Sequence, residues 1–295
     1  MPMDDERCVV ETIDVLVGPR RRQAVVCLPR RAAPAAGWPL VIAFHGGQSH
    51  PDMMRRFSGI ERLADEGRAV VVFPAGTGSR EGLLTWNGGN CCGEAKAEDS
   101  EDVGFTRELV RSLAERFALD PRRIHATGMS NGAMMAYRVA AEMADVVASI
   151  AAVAGPMAVE VIRPSRPVPL LHFHGTLDQF TPFEGGIGRR SVTRVSHRPV
   201  LEGVLEWVHA NGCPAQARSE PIPCSDDGIT VERFTWGPGR AGSAVVLYRF
   251  DGGGHTWPGQ RPDSFFLGPS ALSIDANEII WEFFRRHSFV DAHAT

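Results

Sequence analysis

No apolar run in this 295-residue chain is long enough to cross a bilayer; the nearest, Val146 to Val161, is broken by Gly155-Pro156. Met1 to Arg7 lacks the positively charged start and apolar core of a secretory leader, so none is expected in the chain as given. The six cysteines are too sparse for a disulfide scaffold, and the absence of CxxC or zinc-ligand spacing points to no metal. Spacing does not fix pairing among Cys8, Cys27, Cys91, Cys92, Cys213 and Cys224. Cys213 and Cys224 bracket a Pro-rich loop that a bridge between them would close, and reduced buried thiols fit equally well. Lys96 is the only lysine, the arginines are scattered and the net charge is -4, so no nucleic acid or anionic membrane is expected as a partner. There is no repeat, low-complexity segment or interdomain linker. At 43% hydrophobic and 22% charged, residues 1–295 read as one domain able to bury a large core. Oligomeric state is not legible.

What is present is an alternation of short apolar runs and amphipathic segments. Residues 9–17 and 23–28 predict two strands joined at Gly18-Pro19. Residues 39–44, 69–73, 148–154 and 168–173 are continuous apolar runs, as in strands covered on both faces. Residues 231–235 and 244–250 predict two further strands. Helices are expected around 52–66, from Asp102, at 133–143, at 199–210 with Leu201, Val204, Leu205 and Val208 inward, and after an Asp275-x-x-Glu278 capping box. Residues 74–100 predict a long loop, a length usually reserved for function. Strands alternating with helices imply an α/β sheet covered on both faces.

One stretch carries the chemical signal. Gly128-Met129-Ser130-Asn131-Gly132 lies between a strand pattern and a helix pattern, where G-x-S-x-G lets the chain reverse sharply and expose a serine hydroxyl. A serine needs a base to take its proton, and the base needs a carboxylate to fix its tautomer. Sheets of this kind gather such groups past the carboxyl ends of their strands. Asp178 and His255 both follow strand ends, in the order Ser, Asp, His; Asp251 and Glu184 compete for the acid's place. His172 and His174 share a strand face, but no third ligand is spaced to join them at a metal. The N–H of Asn131 and that of Gly47 or Gln48, in His45-Gly46-Gly47-Gln48, are the candidate oxyanion donors. Trp86 and Trp257 are candidate substrate-binding aromatics at the mouth, with loop packing as the other reading, whereas Met134, Met135 and Tyr137 read as core.

The segments His45-Gly46-Gly47, Asp102-Val103-Gly104-Phe105, Asp120-Pro121-Arg122-Arg123, Gly128 to Gly132, His174 to Asp178 and Gly253 to Gly259 resemble the polyhydroxybutyrate depolymerase/feruloyl esterase family, the LpqC-type branch of carbohydrate esterase family one. The resemblance runs from about Arg22 to His287. It implies an α/β-hydrolase fold, a triad of Ser130, Asp178 and His255, no cofactor, and a serine carboxylesterase. The expected substrates are feruloyl or acetyl esters of plant polysaccharides, with polyhydroxyalkanoates or their oligomers as the alternative. Such proteins usually act after secretion; without a leader, this chain reads as cytoplasmic or as a trimmed secreted form. The rival from another class is a non-catalytic carbohydrate-binding protein on the same scaffold.

Overall fold

A computed structural model describes residues 8–80 and 82–289; residues 1–7, on which the leader expectation rests, and His293 lie outside the described residues. The order is β1 Val9–Val17, β2 Arg20–Leu28, β3 Trp38–Phe44, α1 Pro51–Ser58, α2 Arg62–Asp65, β4 Val70–Pro74, α3 Gly93–Ala97, α4 Asp102–Arg116, β5 Leu119–Met129 and α5 Asn131–Glu142. Then follow β6 Ser149–Val153, β7 Leu170–Gly175, α6 Val200–Ala210, β8 Arg218–Ile222, β9 Thr230–Trp236, β10 Val245–Asp251 and α7 Ala276–Arg286. The ten strands form one sheet in the order β1-β2-β4-β3-β5-β6-β7-β10-β9-β8. From β4 across to β10 neighbouring strands run parallel, and antiparallel pairs close both edges.

The period of two along a strand divides the core between the sheet's faces. On β3, Leu40, Ile42 and Phe44 join a cluster with Phe105 and Leu109 of α4, Tyr137 of α5 and Trp207 of α6. Val41 and Ala43 face the other way, among Met54 of α1, Leu63 of α2 and Ile280 and Phe284 of α7. Both faces being covered, β3, β4 and β6 are almost wholly apolar, which is why their sequences run without alternation. Among the described residues no helix is long and apolar enough to cross a membrane.

Several expectations are corrected. The helix expected at 52–66 is two pieces, because Gly59 turns left-handed (φ 60°) and its amide closes on the Arg55 carbonyl at 2.9 Å. On α6 the inward stripe is Val200, Val204, Trp207 and Val208, while Leu201 and Leu205 are exposed. The Trp207 indole donates to the Val168 carbonyl at 2.7 Å, which fixes the helix's rotation. β8 had no strand signature: its sequence is Arg-Ser-Glu-Pro-Ile, and it pairs only with β9. Among the described residues Cys8, Cys27, Cys213 and Cys224 are free, so no bridge closes the 213–224 loop; Cys91 and Cys92 are joined to each other. The long loop is tied down by bridges Ser49↔Leu84 and Thr77↔Thr85 and by α3. Its anchor is Asp102, the buried first residue of α4. One carboxylate oxygen meets Arg22 at 2.5 Å and the other accepts from the Asn87 amide at 2.8 Å.

His125, in the middle of β5, is stacked on Phe284 at 4.6 Å and bonded to the Ser149 hydroxyl at 2.9 Å. Burial strips the cation of its hydration and, with the Arg123 and His287 charges nearby, pushes the imidazole down to about 3. The unfolded chain therefore takes up a proton near pH 6.5 that the folded chain refuses until about pH 3. Stability is complete above the unfolded value and falls as pH drops through that window, by on the order of several kcal/mol for a group shifted this far. We expect the urea midpoint to fall between pH 7 and pH 4, and the slope to flatten by about one proton's worth in His125→Phe. A midpoint independent of pH would contradict this account.

Candidate active site

β5 ends at Met129 and α5 begins at Asn131, leaving Ser130 alone at the bend with φ 56° and ψ -121°, a region side chains rarely adopt. The Ser130 amide donates to the Val153 carbonyl of β6 at 2.9 Å, and its carbonyl accepts from Met134 at 3.1 Å. A side chain on Gly128 would strike the Gly132 carbonyl, and one on Gly132 would strike the carbonyls of Phe44 and His45. Both glycines are thus required by close backbone approach, which presses the start of α5 onto the end of β3.

Asp178 lies just past β7 and is buried. Its Oδ2 meets His255 Nδ1 at 2.7 Å and the Thr181 hydroxyl at 3.0 Å; its Oδ1 accepts from the amides of Phe180 and Thr181 at 2.8 and 2.9 Å. Burial alone would push this carboxyl up, but the charge and hydrogen bond of His255, then His174 and the Thr181 amide, outweigh it and hold it below the usual range. A carboxylate only accepts, so Nδ1 of His255 carries a proton towards Asp178 and Nε2 is the nitrogen left to act as a base. The two competing acids are placed elsewhere: Asp251 pairs with Arg249 at 2.9 Å, and Glu184 is exposed.

Behind this pair runs a buried polar chain. The Tyr137 hydroxyl meets His172 Nδ1 at 2.8 Å, His172 Nε2 meets His174 Nδ1 at 3.1 Å, and His174 Nε2 meets the Thr181 carbonyl at 2.7 Å. Burial keeps both rings neutral, lowering each below the ordinary histidine value. The carbonyl can only accept, so His174 Nε2 is the donor; each ring before it must then donate from Nε2 and accept at Nδ1, and Tyr137 donates. One terminal acceptor orders the whole chain. The same His174 Nε2 lies 3.5 Å from Asp178 Oδ2.

The other half of the site is the loop after β3. His45 Nδ1 donates to the Gly46 carbonyl at 2.7 Å while Nε2 accepts from the Gly76 amide at 3.0 Å. Burial pushes that imidazole down to about 4, so it serves as a neutral clamp. A Cβ on Gly46 would lie 3.7 Å from the Ser130 Cβ, and one on Gly47 3.5 Å from the Asn131 Cβ. The loop carrying Gly47 and Gln48 therefore lies directly against the nucleophile's turn. Gln48 also holds a left-handed backbone, φ 54°.

Trp86 and Trp257 do not reach the mouth: both are fully buried, and neither borders the cavity. The Trp257 indole donates to Asn277 Oδ1 at 2.9 Å within the core. Trp86 works from behind the site instead. Its amide and carbonyl are both held by the Asn131 side chain, at 2.7 and 2.9 Å, and its indole donates to the His45 carbonyl at 3.0 Å. One residue thus ties together the two segments expected to supply oxyanion donors. Nothing in a lone loop tryptophan announces that.

Ser130 and His255 border one cavity of about 460 Å³, together with Gly47, Gln48 and Asn131. Its walls are Met53, Phe57, Met129, Met134, Phe180 and the joined pair Cys91–Cys92. Met134 is thus both core and wall, while Met135 and Tyr137 are core alone. Of the groups sequence reading passed over, Met53 and Phe57 carried a signal, lying on the helix after His45-Gly46-Gly47-Gln48; Thr181 and His197 carried none. Among the described residues no cluster of three His, Cys, Asp or Glu side chains could hold a metal ion.

Comparison with known proteins is decisive for the family. Residues 18–194, a span containing Ser130 and Asp178, match the family described as "Putative esterase". The chain belongs to this esterase family. It is 31% identical over 255 residues to "Putative esterase NocK" of Nocardia uniformis subsp. tsuyamanensis, covering 83% of this chain and 73% of that one. It is 29% identical over 244 residues to feruloyl esterase B of Piromyces equi, covering 79% of this chain but only 42% of that protein. Among solved structures, an acetyl xylan esterase from Aspergillus awamori superposes with a TM-score of 0.57 at 16% identity, over 83% of this chain and 94% of that one. The architecture is the α/β-hydrolase fold, and the protein is a carboxylic ester hydrolase.

Two consequences for this esterase follow. Trp86→Phe keeps the ring but removes the donor to the His45 carbonyl, and kcat should fall about tenfold with KM little changed, a fraction of the roughly 10²–10³ that losing an oxyanion donor costs; an unaltered kcat would show that the strap is dispensable. In His174→Phe, Asp178 loses the polar neighbour 3.5 Å away that, after His255, helps hold it low, so the acidic limb of kcat/KM should move to higher pH, and His174→Gln, which keeps an N–H, should move it back. A limb that stays in place in both variants would make the chain purely structural.

Proposed function

We propose that Ser130, His255 and Asp178 act as nucleophile, base and orienting acid in an acyl-enzyme mechanism. The observation carrying this reading is that the strained Ser130 turn and His255, which Asp178 holds from behind, border the same cavity. Ser130 Oγ attacks the ester carbonyl as His255 Nε2 takes its proton, and His255 then gives that proton to the departing alcohol. The amides of Asn131 and of Gly47 or Gln48 receive the oxyanion, and water repeats the steps to release the acid.

The substrates we infer are feruloyl or acetyl esters of plant polysaccharides, as the names of the relatives suggest. The thioethers of Met53, Met129 and Met134, two phenyl rings and a disulfide form walls suited to an uncharged ring-bearing acyl group, and the cavity is far larger than acetyl requires. That favours a phenolic acyl group over acetyl. Chromogenic aryl ester hydrolysis should fall about 10⁴-fold or more in Ser130→Ala and in His255→Ala while folding persists. Near wild-type turnover in either variant would sink the assignment. In a panel of methyl ferulate, acetylated xylan and hydroxybutyrate oligomers, kcat/KM should be highest for the ferulate; preference for the oligomers would support a polyester substrate instead.

A further inference from the structure

The proposed chemistry accounts for the cavity but not for what lies outside it. The turn Phe265–Leu267 presents two phenyl rings to water, Phe265 at 80% exposure and Phe266 at 46%, with centroids 3.9 Å apart. Leaving a Phe pair in water forfeits the burial that aromatic side chains normally contribute, so such a patch marks a surface used for contact. The turn is built and anchored: Ser264 caps it by accepting from the Phe266 amide, and the Arg190 guanidinium lies 4.3 Å from the Phe266 ring. It is also fastened to the catalytic loop, since the His255 amide donates to the Leu267 carbonyl at 2.6 Å and the Gly254 amide to the Pro269 carbonyl at 2.8 Å. Leu267 itself borders the cavity, as do Ser191, Val192 and Thr193, which follow Arg190. The aromatic pair is therefore continuous with the cavity mouth, on the side where His255 would hand a proton to the leaving alcohol.

An ester has two halves, and a cavity that takes the acyl half leaves the alcohol half to pass over this rim. The rim alternates bare phenyl rings with hydrogen-bonding groups: the hydroxyls of Ser191 and Thr193, the carboxylate of Asp263, and Arg190. A pyranose has the matching character, an apolar C–H face bounded by hydroxyls, whereas a polyester chain offers no hydroxyl donors along its length. We propose that Phe265 and Phe266 form a platform for the sugar chain of the alcohol half, outside the catalytic cavity. This rests on the esterase reading above.

The test compares wild type with Phe265→Ala and the Phe265→Ala/Phe266→Ala double variant on an aryl acetate and on a feruloylated xylo-oligosaccharide. Phe265 is exposed and does not border the cavity, so aryl acetate kinetics should stay at wild-type values and report intact folding. KM for the oligosaccharide should rise about five- to tenfold in the single variant and further in the double. Equal KM on the oligosaccharide in all three proteins overturns the platform. So does a wild-type dimer that the variants convert to monomer with KM unchanged, which would make the rings a subunit contact. A KM that rises for hydroxybutyrate oligomers and not for the oligosaccharide overturns the sugar assignment. Failure of wild type to cleave the aryl acetate would instead refute the esterase chemistry itself.

Discussion

The contact on which the rest depends is backbone against backbone: the start of α5 pressed onto the carbonyls that end β3. Gly132 is the tightest point of that contact. It brings Ser130 and the amide of Asn131 beside the Gly46-Gly47 loop without any side chain between them. Parallel strands suit this arrangement, because β3, β5, β6, β7 and β10 all deliver their carboxyl ends to one rim. The sheet sets coarse positions, and glycine sets the final approach.

Fine positioning is left to buried polar groups that do not meet the cavity. Asp178 is held by donors from its own loop and from His255, with the His174 ring edge 3.5 Å from its Oδ2. The chain behind it ends at Tyr137 on α5, so the helix that bears the nucleophile is linked to the loop that bears the acid. Each member has its hydrogen-bonding needs met, which is the condition under which polar groups are tolerated in a core. Trp86 does the corresponding work on the other side, joining Asn131 to the His45 segment.

How much of this was legible depended on whether the signal was local. The strands of the parallel core were readable because burial on both faces leaves an unbroken apolar run. The turn at Ser130, and His255 and Asp178 past strand ends, were readable because glycine and chain order mark them. Trp86 and Trp257 were misplaced at the mouth because an aromatic residue in a loop looks the same whether it lines a site or braces it. Burial and hydrogen bonding decide between those, and both are tertiary. Leu201 and Leu205 pointed inward on periodicity alone, until the indole of Trp207 turned α6 by its bond to Val168. The polar chain through His172 was visible only as two histidines on one strand face.

At the far edge of the sheet, β8 carries Pro221 directly after Glu220 and leaves its side chains partly or fully in water. A ten-stranded sheet ending in a regular apolar strand would offer a ladder of free amides to any other extended chain. Proline removes one of those amides, and Arg218 and Glu220 surround the rest with charge. The strand hardest to recognise in the sequence is thereby poorly suited to pairing with another chain at that edge.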